Sequence, residues 1–335
     1  MRITLDEIAK LAGVSKATVS RVLNNKPEGV GEETRVRVQK VLDEVGYRNE
    51  QAVSVSRPLK SGCIALILPD ITNPFFADIA KAVEARAKKA GYIVVLANTD
   101  FSEESEKKYI INLLAKKVDG IILIPSGIRS SPEHHLPKKY AVPMVLLDRK
   151  FANERNWLGV YSDNTYAAFH ACEIMFSHGS RRIAYLSGGT GVSTSLERLE
   201  GYKTAVEHYG LAYCPELIKY GDYTVESGYN AIMELERANT QYTAVLAAND
   251  LMALGAMNAM RELSYRVPED IEIIGFDNIP FASYCDPPLT TIQQPTLEMG
   301  AKACEMLLQI LQGEKVTESV RLHPKMLIRK TTRSR

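Results

Sequence analysis

The sequence predicts an α/β protein in which a small three-helix unit precedes two successive units built on parallel sheets. Three observations support this prediction. Two short amphipathic helix patterns meet at Gly13, apolar strands alternate with helices from residue 63 to residue 147, and the same alternation restarts at residue 182. Apolar strands separated by helices of this length are typical of a parallel sheet that is covered on both faces.

The composition is that of an ordinary globular protein, but its charge is unevenly distributed. A chain of 335 residues, 45% hydrophobic and 24% charged, is too long for one simple core. Residues 1–60 hold 11 lysines and arginines against 8 acidic residues, whereas the rest holds 30 against 32. A basic first unit on a slightly acidic body is consistent with a local contact with nucleic acid.

Cysteine usage and apolar stretches indicate the compartment. The five cysteines (63, 172, 214, 285 and 304) form no Cys-x-x-Cys pair, so we expect free thiols and no metal site. The N-terminus lacks an apolar secretory segment, and no stretch of 18 apolar residues occurs. We therefore expect a cytoplasmic protein without membrane association.

The first two helices carry local start and stop signals. Thr4 and Glu7 have capping-box spacing, and Gly13 ends the helix because glycine enters a left-handed turn at little cost. Ser15 is expected to cap the second helix. The side chains predicted to face inward are Ile8, Leu11, Ala12, Val19, Val22 and Leu23.

The outward face of the second helix carries short, hydroxyl-bearing or cationic side chains, which suit base edges and phosphates. Any amphipathic helix pair has a polar face, so periodicity alone leaves a plain solvated surface equally open. The residues concerned are Lys16, Ala17, Thr18, Ser20 and Arg21.

The remaining predicted elements follow in chain order. A third helix spans residues 32–45, with Val36, Val38, Val41, Leu42 and Val45 largely on one side, and a polar linker follows at 48–62. Strands are predicted at 63–68, 92–96, 120–124, 143–147, 182–186, 217–220, 244–248 and 271–275, and a final strand near residue 326. Helices are predicted at 76–91, 103–117, near 133–140, 195–209, 225–237 and 250–263, the last with Asp250 as its cap.

Several runs carry a family resemblance. The run Ala-Gly-Val-Ser-Lys-Ala-Thr-Val-Ser-Arg-Val-Leu-Asn, which starts at Ala12, resembles the DNA-binding headpiece of the LacI/GalR family of bacterial transcription regulators. Further runs resemble family signatures in family order, so the resemblance covers essentially the whole chain; they start at Asp70, Val118, Ala248, Ile274 and Pro287.

The resemblance implies a domain organisation. It implies a helix-turn-helix DNA-binding headpiece at residues 1–47, a hinge linker at 48–62 and a two-lobed body like type I periplasmic binding proteins at 63–335. The implied first lobe spans about 63–160 and 292–322, and the second about 161–291 and 323–335.

The resemblance also implies a function. We expect a sequence-specific regulator, acting as a repressor of carbohydrate metabolism genes, that binds a pseudo-palindromic operator as a homodimer. Its effector is expected to be a small sugar in the interlobe cleft, with ribose preferred because Asn73-Pro-Phe-Phe resembles ribose-responsive members. No other cofactor is expected. The alternative is a catabolite-control regulator whose co-effector is a phosphorylated carrier protein.

The DNA contacts implied by the family pattern lie in the headpiece and the hinge. They fall on Thr4, Ser15, Lys16, Ala17, Thr18, Ser20, Arg21, Asn24, Val53 and Ser56. The hinge departs from the family, which has Pro-Asn in place of Asn49-Glu50 and an apolar minor-groove wedge in place of Ser56. Pro58 would also end a hinge helix early. We expect weaker hinge contacts with DNA, and tighter operator binding in Ser56→Leu.

The cleft residues implied by the family pattern follow strand ends. Carboxylates there would accept hydrogen bonds from sugar hydroxyls, arginine and asparagine would donate, and aromatic rings would cover the C–H face of the sugar. Phe76 fits a plain core position equally well. The residues are Asn73, Phe75, Phe76, Ser126, Asp148, Thr194, Arg198, Asn249, Asp277 and Gln294.

Other protein classes fit less well. The chain has no Gly-x-Ser-x-Gly, Walker or His-Glu-x-x-His motif, and Gly188-Gly-Thr-Gly191 lacks dinucleotide-binding spacing, so we expect no enzyme. A secreted sugar-binding protein would fit residues 63–335, but the headpiece and the missing signal peptide contradict it.

Overall fold

The computed structural model describes residues 4–23, 30–44, 61–128, 142–152 and 157–333. The chain divides into two units, residues 1–60 and 61–335. Within the described ranges, no helix is both long enough and apolar enough to cross a membrane.

In the first unit, the part of the chain that the structure describes forms three helices, α1 (Leu5–Ala12), α2 (Lys16–Leu23) and α3 (Glu32–Glu44). The predicted capping box is present: Thr4 Oγ1 accepts from the Glu7 amide at 3.4 Å, and the Glu7 carboxylate accepts from the Thr4 amide at 2.7 Å. Gly13 ends α1 with a φ of 65°, and Ser15 Oγ accepts from the Thr18 amide at 3.2 Å. These local predictions are confirmed.

Two of the residues predicted to face inward in this unit are exposed. The core contains Ile8, Ala9, Ala12, Val19, Val22, Val38 and Leu42. The buried stripe of α1 is centred on Ala12. Leu11 is 60% exposed because it lies about 100° around the helix from Ala12. Val36 is 61% exposed because it lies about 200° from Val38. The side chain of Leu23, and residues 24 and 45–60, lie outside the described residues.

In the second unit, the described residues form twelve strands and eight α-helices. The strands are β1 (Cys63–Leu68), β2 (Ile93–Asn98), β3 (Gly120–Leu123), β4 (Met144–Leu147), β5 (Gly159–Ser162), β6 (Ile183–Ser187), β7 (Ile218–Tyr220), β8 (Ala244–Ala247), β9 (Glu272–Asp277), β10 (Thr290–Gln293), β11 (Val320–Leu322) and β12 (Lys325–Leu327). The helices are α4 (Pro74–Lys89), α5 (Glu103–Ala115), α6 (Asn164–Ser177), α7 (Ser193–His208), α8 (Val225–Arg237), α9 (Asp250–Glu262), α10 (Phe281–Tyr284) and α11 (Thr296–Gln312).

The strands form two six-stranded sheets, and each defines a lobe. The first sheet has the order β11-β5-β4-β3-β1-β2 and is parallel; the second has the order β12-β10-β9-β8-β6-β7 and is parallel except for β12. The chain leaves the first sheet after Ser162, returns to the first lobe after Gln293, and crosses again between Leu322 and Lys325. Helices α4, α5 and α11 pack on the first sheet, and α6 to α9 on the second.

The sequence identified most of these elements but missed three helices, α6, α10 and α11, and three strands, β5, β10 and β11. Helix α6 shows no one-sided apolar pattern in the sequence, because its apolar residues are spread around the helix and pack on α7 as well as on the sheet. Helix α11 begins without a side-chain cap. The cap of α9 is Asn249, not Asp250, because Asn249 Oδ1 accepts from the Met252 amide at 2.9 Å. The helix predicted near 133–140 lies outside the described residues.

Candidate functional site

A narrow cavity of about 20 Å³ lies between the two lobes, at the carboxyl ends of the strands of both sheets. Its wall is made of polar and aromatic side chains that both lobes contribute. The first lobe provides Asn73, Phe75, Phe76, Asp148 and Arg149, and the second provides Thr194, Arg198, Tyr223, Asn249 and Asp277.

Helix starts position several of these side chains. Asn73 caps α4, with its Oδ1 accepting from the Phe75 amide at 3.0 Å, and Pro74 occupies the first helical position. Asn249 caps α9 in the same way and donates from Nδ2 to the Tyr223 carbonyl at 3.0 Å. The helix start therefore holds each amide rigidly at the cavity wall.

Asp148 and Arg149 follow directly after β4. Asp148 adopts a φ of 63°, is 3% exposed, and its Oδ1 has no hydrogen-bond partner among the described residues. Its Oδ2 lies 3.7 Å from Arg149 Nε. Burial raises the pKa of Asp148, and the charges of Arg149 and Arg198 oppose that shift.

The Arg149 guanidinium is enclosed by aromatic rings. Its carbon lies 5.6 Å from the centroid of Phe76, 5.3 Å from that of Phe101 and 5.8 Å from that of Tyr223. Nη1 donates to the Pro125 carbonyl at 3.2 Å. Because the guanidinium is planar and delocalised, it tolerates this largely aromatic surrounding, which leaves its charge directed at the cavity.

The charged groups of the second lobe are paired with each other. Arg198 Nε donates to Asn164 Oδ1 at 2.9 Å, its carbon stacks 3.7 Å over the Phe276 ring, and Nη2 lies 3.9 Å from Asp277 Oδ1. Gln294 Nε2 donates to the same Asp277 oxygen at 3.0 Å. Burial raises the pKa of Asp277 to about 7, although Arg198 and Gln294 oppose the shift.

Direct contacts join the lobes at the mouth of the cavity. The Lys150 amide donates to Ser193 Oγ at 2.9 Å, and the Ile128 amide donates to the Gly191 carbonyl at 2.9 Å. Lys150 Nζ lies 3.2 Å from Glu197 Oε1. These contacts link the two lobes next to the cavity.

The headpiece presents the predicted polar face on α2. Lys16, Ala17 and Arg21 are exposed, while Thr18 and Ser20 are half-buried. Lys16 Nζ forms an ion pair with Asp6 Oδ2 at 2.8 Å. Of the other predicted DNA-contact residues, Thr4 and Ser15 are exposed, and Asn24, Val53 and Ser56 lie outside the described residues.

Comparison with known proteins agrees with both units. Residues 4–50 match the model of the bacterial regulatory proteins of the lacI family, and residues 173–332 match that of a periplasmic binding protein-like domain. The chain is 36% identical to the HTH-type transcriptional repressor CytR of Escherichia coli (strain K12), over 99% of this chain and 96% of that protein. The chain belongs to the lacI family.

Two further relatives are named for different regulatory roles. This lacI-family chain is 36% identical to the ribose operon repressor of Halalkalibacterium halodurans, with 98% and 97% of the two chains covered. It is 33% identical to catabolite control protein A of Priestia megaterium, with 96% of each covered. As a member of this family, the chain is a DNA-binding transcriptional regulator.

Solved structures of lacI-family proteins share the fold. One is a LacI family transcriptional regulator from Enterococcus faecium with bound ribose, with a TM-score of 0.72 and 30% identity over 81% of this chain and 98% of that one. Another is the Lac repressor dimer bound to operator and the anti-inducer ONPF, with a TM-score of 0.74 and 28% identity over all of both chains. The predicted fold class and family are confirmed.

The cavity wall includes eight of the ten cleft residues predicted from the sequence. The other two lie behind it: Ser126 Oγ is hydrogen-bonded to Thr99 Oγ1 at 2.8 Å, and Gln294 supports Asp277. Phe76 belongs both to the core of the first lobe and to the wall. Ligand binding by these residues remains a prediction.

Sequence reasoning missed two residues of the wall, Arg149 and Tyr223. Both follow the carboxyl end of a strand, Arg149 after β4 and Tyr223 after β7. The rule that ligands of parallel sheets bind at the carboxyl ends of strands would have selected both, had it been applied beyond the first residue of each loop.

Proposed function

We propose that this lacI-family regulator is a repressor of carbohydrate-utilisation genes whose effector is a pentose, with D-ribose as the first candidate. The unpartnered polar atoms at the cavity carry this proposal. Asp148 Oδ1 and Arg149 Nε, both on the cavity wall, are buried without a hydrogen-bond partner among the described residues. A buried polar group left unpaired costs about 1–3 kcal/mol, so hydroxyl groups of a ligand would satisfy atoms that are now unpaired.

The chemistry of the cavity wall suits a monosaccharide. The lobes must separate to admit one, because the free space between them is about 20 Å³. The wall carries two acceptor carboxylates, Asp148 and Asp277, and two donor guanidiniums, Arg149 and Arg198, while Phe76 and Tyr223 offer apolar faces. Vicinal hydroxyls both donate and accept, which suits this mixture of acceptors and donors, and the ribose-bound relative supports the choice of sugar.

Isothermal titration calorimetry with D-ribose, 2-deoxy-D-ribose and D-glucose tests the effector. We expect saturable binding of D-ribose, and binding of the deoxy sugar weaker by at least about tenfold, because one buried polar group then stays unpaired. No binding of any of these sugars would contradict the proposal.

The alternative effector is a phosphorylated carrier protein, which the similarity to catabolite control protein A favours. The same titration with phosphorylated and unphosphorylated carrier protein separates the two cases. Binding of only the phosphorylated form, with no heat from the sugars, would replace the pentose by this partner.

We also propose that the regulator binds a pseudo-palindromic operator as a homodimer, in the cytoplasm, and that it catalyses no reaction. Each lobe exposes apolar side chains that a second copy would cover: Ile93 and Leu96 on the edge strand β2 are 68% and 42% exposed, and Tyr284 of the second lobe is 85% exposed.

Arg21 is proposed as the principal base-reading residue, because it is an exposed guanidinium on α2. A bidentate contact with guanine is worth about 1–3 kcal/mol of discrimination. We expect Arg21→Ala to lower operator affinity by about tenfold and to relax specificity at one position of each half-site, as measured by gel shift at fixed salt. Equal loss on operator and random DNA would instead indicate a phosphate contact.

A further inference from the structure

Glu106, on α5, is a charged side chain that is buried away from the cavity wall. It is 2% exposed, and its Oε2 accepts a hydrogen bond from the Ser126 amide at 2.6 Å. Ser126 is also tied through its hydroxyl to Thr99, whose amide in turn donates to the Leu68 carbonyl at 2.9 Å. One carboxylate oxygen therefore fixes the backbone in the middle of the loop formed by residues 124–128.

The 124–128 loop touches two parts of the cavity. Before Ser126, the Pro125 carbonyl accepts from Arg149 Nη1 at 3.2 Å and so holds the guanidinium that lines the wall. After Ser126, the Ile128 amide donates to the Gly191 carbonyl of the second lobe at 2.9 Å. Displacing the loop would therefore disturb both Arg149 and the closure between the lobes.

The carboxylate is an unfavourable choice for stability alone. Burial raises the pKa of Glu106 to about 7, because the hydrogen bonds from Ser126 and the charge of Arg149 offset the loss of hydration only in part. The other charged group acting on it, Glu103, raises that pKa further. A protein with a buried carboxylate of this kind is commonly less stable than one with an apolar side chain of the same volume at that position. The presence of Glu106 therefore indicates a role other than packing.

We infer that Glu106 is a positioning residue for effector binding, which holds the 124–128 loop so that Arg149 faces the ligand and Ile128 meets the second lobe. This inference rests on the proposed function, since it concerns the site proposed for the pentose. Glu106 itself does not contact the ligand, because it is not part of the cavity wall.

Three substitutions in the full-length chain test this role. Glu106→Gln keeps an acceptor oxygen for the Ser126 amide, whereas Glu106→Met keeps the volume and removes the acceptor. Glu104→Gln is the control, because Glu104 lies in the first turn of the same helix and is exposed, with only a surface pair to Lys108. D-ribose affinity is measured by calorimetry, and Tm by thermal unfolding of the same samples.

We expect Glu106→Met to weaken D-ribose binding at least tenfold while its Tm stays within a few degrees of the wild type. Glu106→Gln should bind D-ribose within about threefold of the wild type, and Glu104→Gln should be indistinguishable from it. Hydrogen exchange should be faster at residues 124–128 in Glu106→Met and unchanged in the second half of α5.

Two results would overturn the inference while leaving the proposed function intact. In one, wild type and Glu106→Met bind D-ribose equally. In the other, Glu106→Met loses affinity and Tm together, with exchange raised throughout the first lobe, as for a merely structural residue. If Glu106→Gln loses as much affinity as Glu106→Met, the role assigned to the acceptor oxygen is wrong. If the wild type binds no D-ribose, the proposed function fails. Unchanged hydrogen exchange at residues 124–128 in Glu106→Met would separately reject the role of Glu106 in holding the loop.

Discussion

The two lobes contribute charged groups to the same cavity, but they hold them differently. In the second lobe, Arg198 is bonded to Asn164 and lies near Asp277, and Asp277 accepts from Gln294. In the first lobe, Asp148 Oδ1 and Arg149 Nε are buried without hydrogen-bond partners among the described residues. The second lobe is thus preorganised, whereas the polar groups of the first lobe would be completed by the ligand. We therefore expect substitutions in the second lobe to lower both stability and ligand affinity, and substitutions in the first lobe to lower mainly ligand affinity.

The largest expected effect is that of Arg198→Met in the second lobe. Removing the guanidinium leaves the Asp277 carboxylate buried without its cation, which we expect to lower the free energy of unfolding by about 3–5 kcal/mol and to abolish ribose binding. Urea denaturation and calorimetry measure the two effects. Glu200→Gln, on an exposed part of the same helix, is the control. Lost affinity with unchanged stability would contradict the preorganisation of this lobe.

Asp148→Asn is the corresponding change in the first lobe. We expect ribose affinity to fall by about one to two orders of magnitude, because one acceptor becomes a donor. The free energy of unfolding should change little, because the lost attraction to Arg149, 3.7 Å away, is offset by the desolvation cost of the carboxylate, and Arg149 keeps its hydrogen bond to the Pro125 carbonyl. Asparagine carries no charge to desolvate, and it tolerates the φ of 63° as aspartate does. Asp100→Asn is a matched control, since Asp100 has a φ of 51° but is exposed. A clear loss of stability in Asp148→Asn would remove the contrast between the lobes.

The pH dependence of stability compares one buried carboxylate from each lobe. The pKa of Glu106 is raised from 4.5, and that of Asp277 from 3.8, each to about 7 in the folded protein. The folded state therefore binds these protons more tightly than the unfolded state. Their contribution to stability is fully present below pH about 4 and is lost as the pH rises through about 7.

Glu106→Gln should remove the first-lobe part of this decrease, on the order of 3 kcal/mol between pH 5 and pH 8. Urea denaturation of the ligand-free protein at both pH values measures it, with Glu104→Gln as the exposed control. An unchanged slope in Glu106→Gln would mean that this carboxylate titrates as it does in the unfolded chain.

The smallest effect concerns the contact between the lobes. Ser193 Oγ accepts from the Lys150 amide across the mouth of the cavity. Losing one such hydrogen bond costs about 0.5–1.5 kcal/mol, so Ser193→Ala should weaken ribose binding roughly three- to tenfold and barely alter unfolding. Ser177→Ala, at the exposed end of α6, is the control. Equal ribose affinity in wild type and Ser193→Ala would show that closure does not depend on this bond.

The features predicted correctly from the sequence depend on neighbours a few residues away. The capping box of Thr4 and Glu7, the turn at Gly13 and the eight body strands that alternate with helices result from hydrogen bonds or periodicities within one segment. The family resemblance extended the prediction to the cavity wall, because each family motif contains a residue that follows the carboxyl end of a strand. Eight wall residues could be named in this way.

The remaining features were decided only by contacts between segments distant in the chain. Leu11 and Val36 are exposed because the other helices of the headpiece select which stripe is buried. Ser126 lies behind the wall because Thr99 and Glu106, on other segments, bind it there. By itself, the sequence determined that a DNA-binding headpiece precedes a two-lobed body with polar loops at its strand ends. Which of those polar atoms are paired, and which lack a hydrogen-bond partner, depends on distances across two sheets that no local pattern encodes.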